Sequence, residues 1–211
     1  MISAFKAASF FIRAVWIAVF FLLPSASFLH AAESTPAGAP QSFLDTVKSM
    51  EFPVKDPDAH QFKVSRASSF LDLEAMGKKG LGAHWDKASQ EDRQIFMDLL
   101  WKLIESIAYR RTRNFMEGKT VTYLDPKPLE KGFEVESSVS GGEAELAVPV
   151  VYHVAENGGQ WKIYDIFLDG ISMTEDLSYQ FDKLIRDSGF SGLLERMRER
   201  LAQAQKEALS A

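Results

Sequence analysis

The stretch "QWKIYDIFLD", residues 160–169, restricts the fold more than any other in this chain. Read as a strand, its side chains alternate, so Trp161, Ile163 and Phe167 point to one face and Tyr164, Ile166 and Leu168 to the other. Both faces are then rich in apolar groups. An antiparallel sheet in a chain of 211 residues ordinarily wets one face. Either helices cover both faces of this strand, or one face is kept for an apolar ligand.

Three more strand candidates precede it, at 119–125, 132–139 and 145–155, which makes an antiparallel meander of about four strands. Gly141-Gly142 and Asn157-Gly158 sit between consecutive strands and supply the positive φ angles of hairpin turns. Along the third strand Leu146, Val148, Val150, Tyr152 and Val154 alternate onto one face. Helices flank this block. A short one is predicted over 42–51, with Pro53 and Pro57 breaking the chain after it, and a second over 69–81 despite Gly77 and Gly80. The strongest begins at Ser89, where Asp92 completes an N-terminal cap. Ile95, Phe96, Leu99, Leu100, Leu103, Ile104 and Ile107 follow at helical spacing, and Met97, Trp101 and Tyr109 widen the apolar arc beyond one stripe. Two helices close the chain. The first, over 174–187, places Leu177, Phe181, Leu184 and Ile185 on one side and stops at Gly189. The last starts at Ser191 and carries Leu194, Met197 and Leu201. The fold class is α+β, an antiparallel sheet packed with helices.

Residues 1–32 read as a signal peptide. Lys6 and Arg13 form a basic n-region, and Ala14 to Leu23 is an apolar run of ten residues ended by Pro24. Ten residues fall short of the roughly 20 that a spanning helix needs. Small residues follow in "SASFLHAA", placing cleavage after Ala31 or Ala32, or after Ser27. Residues 33–41 read as a flexible leader, 42–206 as one domain and 207–211 as a tail. The formal charge is −5, and loss of Lys6 and Arg13 takes it to −7. Such an acidic chain is not built to bind nucleic acid, which needs a basic face. It has no cysteine, so disulfides, thiolate chemistry and a lipid-anchoring thiol are all excluded.

Nothing in the chain has the spacing of a catalytic or metal site. His60, His84 and His153 lie far apart without ligand-spaced neighbours. "GFSG" at 189–192 lacks the nucleophile elbow, so Ser191 reads as a helix cap, and "GKKGLG" lacks the Lys-Ser/Thr of a phosphate loop. Asp165 and Asp169 would stand roughly 13 Å apart along a strand, too far for a glycosidase pair. Asp165 reads instead as the partner of a buried donor. No cofactor is expected.

Three segments together resemble a known family. They are "FLDLEAMGKKGLGAHWDKASQEDRQIFMDLLWKLIESIAYRR", the sheet segment with "VPVVYHV" and "WKIYDIFLDGISM", and "QFDKLIRDSGFSGLLERMRERL". From about Phe70 to Leu201 the chain is similar to the MlaC and toluene-tolerance family, including the Trp161, Lys162, Tyr164, Asp165, Gly170 and Ser172 positions. It departs at Gly77-Lys78-Lys79-Gly80, where relatives are often Ala/Leu-rich, and at Asp176-Leu177-Ser178-Tyr179, where many carry Asn-Tyr-Arg. The resemblance implies a monomeric periplasmic phospholipid carrier working between an inner-membrane ABC lipid-transport complex and an outer-membrane lipid complex. A subgroup is associated with hopanoids. A small hydrophobic-cone enzyme and a protein-docking module are the rival classes.

On that reading the sheet and helices enclose an apolar lipid cavity. Its wall would comprise Phe96, Leu99, Leu100, Leu103, Ile104 and Ile107 of the long helix and Val148, Val150, Tyr152, Trp161, Ile163, Ile166 and Leu168 of the sheet. Phe181 and Leu184 would complete it. Arg110, Arg111 and Arg113 either complement the end of the long helix or meet a lipid phosphate or an acidic partner. From the leader signals the mature protein is expected to begin between Phe28 and Glu33. Intact-mass measurement of the exported material checks this, and retention of Met1 refutes it.

Overall fold

The helix start signals are obeyed, including one that the reading above takes as a breaker. In a computed structural model, which describes residues 35–141 and 146–209, the first helix, α1, spans Gly38–Lys48. It begins inside the stretch read as leader, and Ala39 is wholly buried, so residues 38–41 belong to the fold. Residues 1–32, assigned to the signal peptide, lie outside the described residues. The next helix, α2, spans Pro57–Ser69. Pro57 starts it rather than breaking the chain: the Asp56 carboxylate accepts from the Ala59 N–H at 3.0 Å, and a first-turn proline lacks only an N–H that had no helical partner.

The single helix expected over 69–81 is therefore the end of α2, an extended link and α3, Leu73–Leu81. In the link Leu71 bridges Ile163, with Ile163 N–H donating to the Phe70 carbonyl and Asp72 N–H to the Ile163 carbonyl, both at 2.8 Å. Asp72 then caps α3 by accepting from Ala75 N–H at 3.0 Å. Gly77 in α3 weakens the helix but permits close approach: a Cβ there would lie 2.4 Å from the Met97 sulfur. The long helix starts as expected, with Ser89 Oγ accepting from Asp92 N–H at 3.0 Å. It is not uniform. An α-helix α4, Gln90–Leu103, passes into a π-helical turn, Ile104–Ala108, and then α5, Tyr109–Phe115.

The sheet contains the four expected strands and two short ones: β1 Thr120–Tyr123, β2 Lys127–Pro128, β3 Phe133–Ser140, β4 Val148–Asn157, β5 Gln160–Leu168 and β6 Ile171–Ser172. Their order is β1-β3-β4-β5-β6, all antiparallel, with β2 also paired to β3. β4 starts at Val148, later than expected, and Leu146 lies outside it, 92% exposed. The β4–β5 turn is Gly158-Gly159, one residue beyond the expected pair.

One extra residue explains the two-sided strand. His153 pairs with Asp165 but Val154 pairs with Ile163, so Tyr164 is an unpaired bulge. The bulge resets the alternation. Ile166 opposite Tyr152, Leu168 opposite Val150 and Ile163 opposite Val154 all share one face. That face, with Val135, Val139 and Trp161, forms a sheet core against α1, α2 and α5. Phe167 falls on the opposite face beside His153, ring centroids 4.4 Å apart.

The final element, α6, spans Met173–Leu209 and turns at Gly189, whose φ of 73° lies in the left-handed region. It supplies Phe181, Leu193, Leu194 and Met197 to a helix core with Leu81, Phe96, Leu99 and Leu100. The start of α6 is tied to the bulge by Asp165, whose side chain is wholly buried. That carboxylate accepts from Lys79 Nζ, Ser172 Oγ and Thr174 Oγ1, each at 2.7 Å, and from Ile166 N–H at 2.9 Å. Burial works to raise the Asp165 carboxyl, but the bonds from Lys79, Ser172 and Thr174 outweigh it and hold it below the ordinary carboxylate value. A depressed folded value makes this contribution full above the unfolded carboxyl value and lost as pH falls through the folded one. Asp165→Asn is expected to cost about 3 kcal/mol at pH 7, with the gap to the parent narrowing on acidification. Urea unfolding at both pH values checks it; a cost under about 1 kcal/mol, or a gap that widens in acid, contradicts it.

Candidate functional site

The sheet core and the helix core meet along α4, and Ile104 sits at the fringe of both. Upstream, Phe96, Leu99 and Leu100 are buried in the helix core; downstream, Tyr109 is buried in the sheet core. Ile104 opens the π turn, whose Tyr109 N–H bonds back five residues to the Ile104 carbonyl. Such turns are frequent at functional positions because they break the regular packing of a helix face. Here the break falls at the seam between two apolar layers. Nothing in the residue pattern of "LIESIAY" signals it.

The expected cavity residues divide into two groups. Val150, Tyr152 and Ile163 are buried in the sheet core, and Phe96, Leu99, Leu100 and Phe181 in the helix core, with Leu184 half-buried on the latter. These side chains pack against protein. Leu103, Ile104 and Ile107 on the helix side, and Val148, Trp161 and Ile166 on the sheet side, are only half-buried. Leu168 is 42% exposed. Most of the second group pack against the margin of one core or the other rather than inside it. Alternation and helical spacing identify both groups as apolar and cannot separate them.

Two surface depressions of about 520 and 550 Å³ lie together at the start of α4, lined by residues such as Glu91, Gln94, Glu74 and Arg93. They open to solvent, have a mixed lining that includes Trp85, Ile95 and Met97, and lie roughly 10–20 Å along the helix from Ile104, so neither belongs to the seam. The phenols near the seam are neutral at pH 7, since burial pushes Tyr109 and Tyr152 up to about 12 and Tyr123 upward as well. Ser68 shares a 2.7 Å hydrogen bond with the Tyr109 hydroxyl. Apolar contact is therefore the chemistry this seam offers.

The three arginines flank the π turn in α5. Arg110 lies 3.7 Å from Glu207 and Arg113 lies 3.2 Å from Glu117, while Arg111 is exposed. Two of the three thus have carboxylate partners within the chain, loose enough to be exchanged. His84 bonds Asp182 at 2.9 Å and His153 lies 3.5 Å from Glu134. Among the described residues no group of three or more His, Asp or Glu is placed to hold a metal ion. The sequence reading missed Ile171 and Met173, which are 63% and 39% exposed just beyond Leu168. Their signal was the apolar run continuing past Asp169-Gly170.

A family model described as "MlaC protein" matches residues 41–199. The intermembrane phospholipid transport system binding protein MlaC of Haemophilus influenzae is 24% identical over 137 residues, 64% of this chain. The chain spans 64% of that relative's length, a little under two thirds. A solved phospholipid-binding protein from Ralstonia solanacearum, in complex with a phospholipid, aligns with a TM-score of 0.64 and 26% identity, covering 82% of this chain and 98% of that one.

The division between packed and half-sealed residues has a stability consequence. Phe96→Ala is expected to destabilise by about 3–5 kcal/mol because a sealed core cannot refill the space. Ile104→Trp, at the half-buried seam, is expected to cost less than about 1.5 kcal/mol. Denaturant midpoints of the two variants check this, and equal losses would make Ile104 a core position.

Proposed function

The chain belongs to the MlaC protein family, and from that premise we propose that it is a phospholipid carrier that holds acyl chains between its sheet and helix layers. The observation that carries the reading is Ile104, which borders both cores at a break in helix regularity. Tails would part the layers there, lying against Leu103, Ile104 and Ile107 on one side and Val148, Trp161 and Ile166 on the other. Each methylene moved out of water contributes roughly 0.8 kcal/mol, so two ordinary chains supply ample energy to open an apolar seam. The more deeply packed residues, from Phe96 and Phe181 to Val150, Tyr152 and Ile163, would line the space as it widens.

The function is binding and release without covalent chemistry. The carrier works as a monomer in the periplasm, between an inner-membrane ABC lipid-transport complex and an outer-membrane lipid complex. Consistent with a carrier, no helix among the described residues is long and apolar enough to cross a membrane. The headgroup stays near solvent, where Arg110, Arg111 and Arg113 can reach a phosphate if Glu207 and Glu117 yield. Every common phospholipid carries that phosphate, and the seam offers almost no polar groups to tell headgroups apart.

Native mass spectrometry of the mature protein is expected to find phospholipid on a monomer, and Ile104→Trp and Leu103→Trp to lower its occupancy without unfolding the chain. Empty protein, or undiminished occupancy in both variants, removes the seam as the site. In competition between phosphatidylglycerol and phosphatidylethanolamine of identical tails, the preference is expected to stay under about tenfold, or 1.4 kcal/mol. A hundredfold preference would require a headgroup pocket, and strong preference for a hopanoid over both would change the ligand class.

A further inference from the structure

Exposure rises steadily along one face of β5. Ile163 is wholly buried, Ile166 half-buried, and Leu168 is 42% exposed. Across a two-residue turn, Ile171 pairs with Leu168 and is 63% exposed, and Met173 follows at 39%. By strand register Ile166, Leu168 and Ile171 share the face that buries Val150 and Tyr152, and Met173 opens the helix that follows. The apolar lining of the sheet core thus runs out to the sheet edge without being covered.

This edge is held rigidly. Asp169 and Gly170 both have positive φ, 50° and 76°, the geometry of the tight hairpin whose twist matches its strands. Asp169 accepts left-handed backbone at some cost, which Asp and Asn tolerate better than other side chains. On the far side of the hairpin, Ser172 and Thr174 both donate to the buried Asp165 carboxylate. Ile171 and Met173 flank that clamped serine. A flexible tip could fold such groups inward; this one presents them to water.

We propose that the β5–β6 hairpin is the portal through which acyl chains enter and leave the seam, with Leu168, Ile171 and Met173 as its lip. The proposal rests on the carrier reading and adds the route. The occupant is the lipid tail itself, since the lip continues the seam's own lining from Ile166 outward. Exposed acids frame the lip, Asp169 in the turn and Glu175 and Asp176 on the first turn of α6. Glu175 lies 3.4 Å from the Lys79 ammonium, which leaves Asp169 and Asp176 to repel an anionic phosphate approaching headgroup first, so tails lead and the headgroup trails.

A charge on the lip blocks passage without altering the occupied state, because Ile171 and Met173 lie outside the seam. Delipidated Ile171→Glu and Met173→Glu are therefore compared with the parent for stopped-flow uptake and release of a phosphatidylglycerol carrying a fluorescent acyl chain. Leu124→Glu serves as a control, since Leu124 is 53% exposed and lies between β1 and β2. Both lip variants are expected to slow uptake and release at least tenfold with equilibrium affinity within twofold, and the control to match the parent. Lip variants that exchange as fast as the parent, or a control slowed equally, overturn the portal. So does a lip variant whose loss lies in affinity alone. A parent that takes up no phospholipid sinks the carrier reading itself, a distinct result.

Discussion

A carboxylate with no exposed surface joins α3 to the β5–β6 hairpin and to the start of the last helix. Asp165 on β5 receives bonds from Lys79 of α3, Ser172 of β6 and Thr174 of α6. Without these donors a buried charge there would be untenable. With them, the bulge, the hairpin and the start of the last helix are fixed relative to one another. Lys79 itself stays 41% exposed and also lies 3.4 Å from Glu175, so the cation keeps water while its partner loses it. The sheet core and the helix core are each apolar and non-directional; this polar joint is what orients one against the other.

The class of fold and most elements were legible in the sequence because they rest on local physics. The Ser89 cap, the four strands and the stop at Gly189 need only neighbouring residues to be recognised. Asp165 was also readable, since an acid amid apolar strand residues needs a donor. What escaped depended on distant partners. The bulge at Tyr164 is invisible to a period-two reading, which put Ile163 and Ile166 on opposite faces when pairing with β4 puts them on one. The start of α2 was present in Asp56-Pro57 and was read as a break because Pro carries both meanings.

The candidate site was legible only as a composition. Spacing named fifteen apolar residues, and burial sorts them: Phe96 and Ile163 are sealed, Ile104 and Ile166 are not. No one-dimensional pattern carries that distinction, because it depends on how completely a second layer covers the first. The π turn follows the same rule. Its residues are unremarkable helix formers, and the slip in spacing falls where the helix passes from one core to the other.

The return of α6 at Gly189 also bears on how the chain reaches this state in time. Phe96, Leu99 and Leu100 pack with Leu81 of α3, but their core is complete only when Phe181, Leu193, Leu194 and Met197 of α6 join it. A chain emerging amino end first has completed α4 and the whole sheet before the α6 partners of that helix face exist. Such non-local closure folds late and leaves an apolar helix exposed meanwhile. The helix core therefore stays incomplete until the end of α6 is made, and a stop codon near Phe190 would remove Leu193, Leu194 and Met197 from it while leaving the buried residues of the sheet core in place.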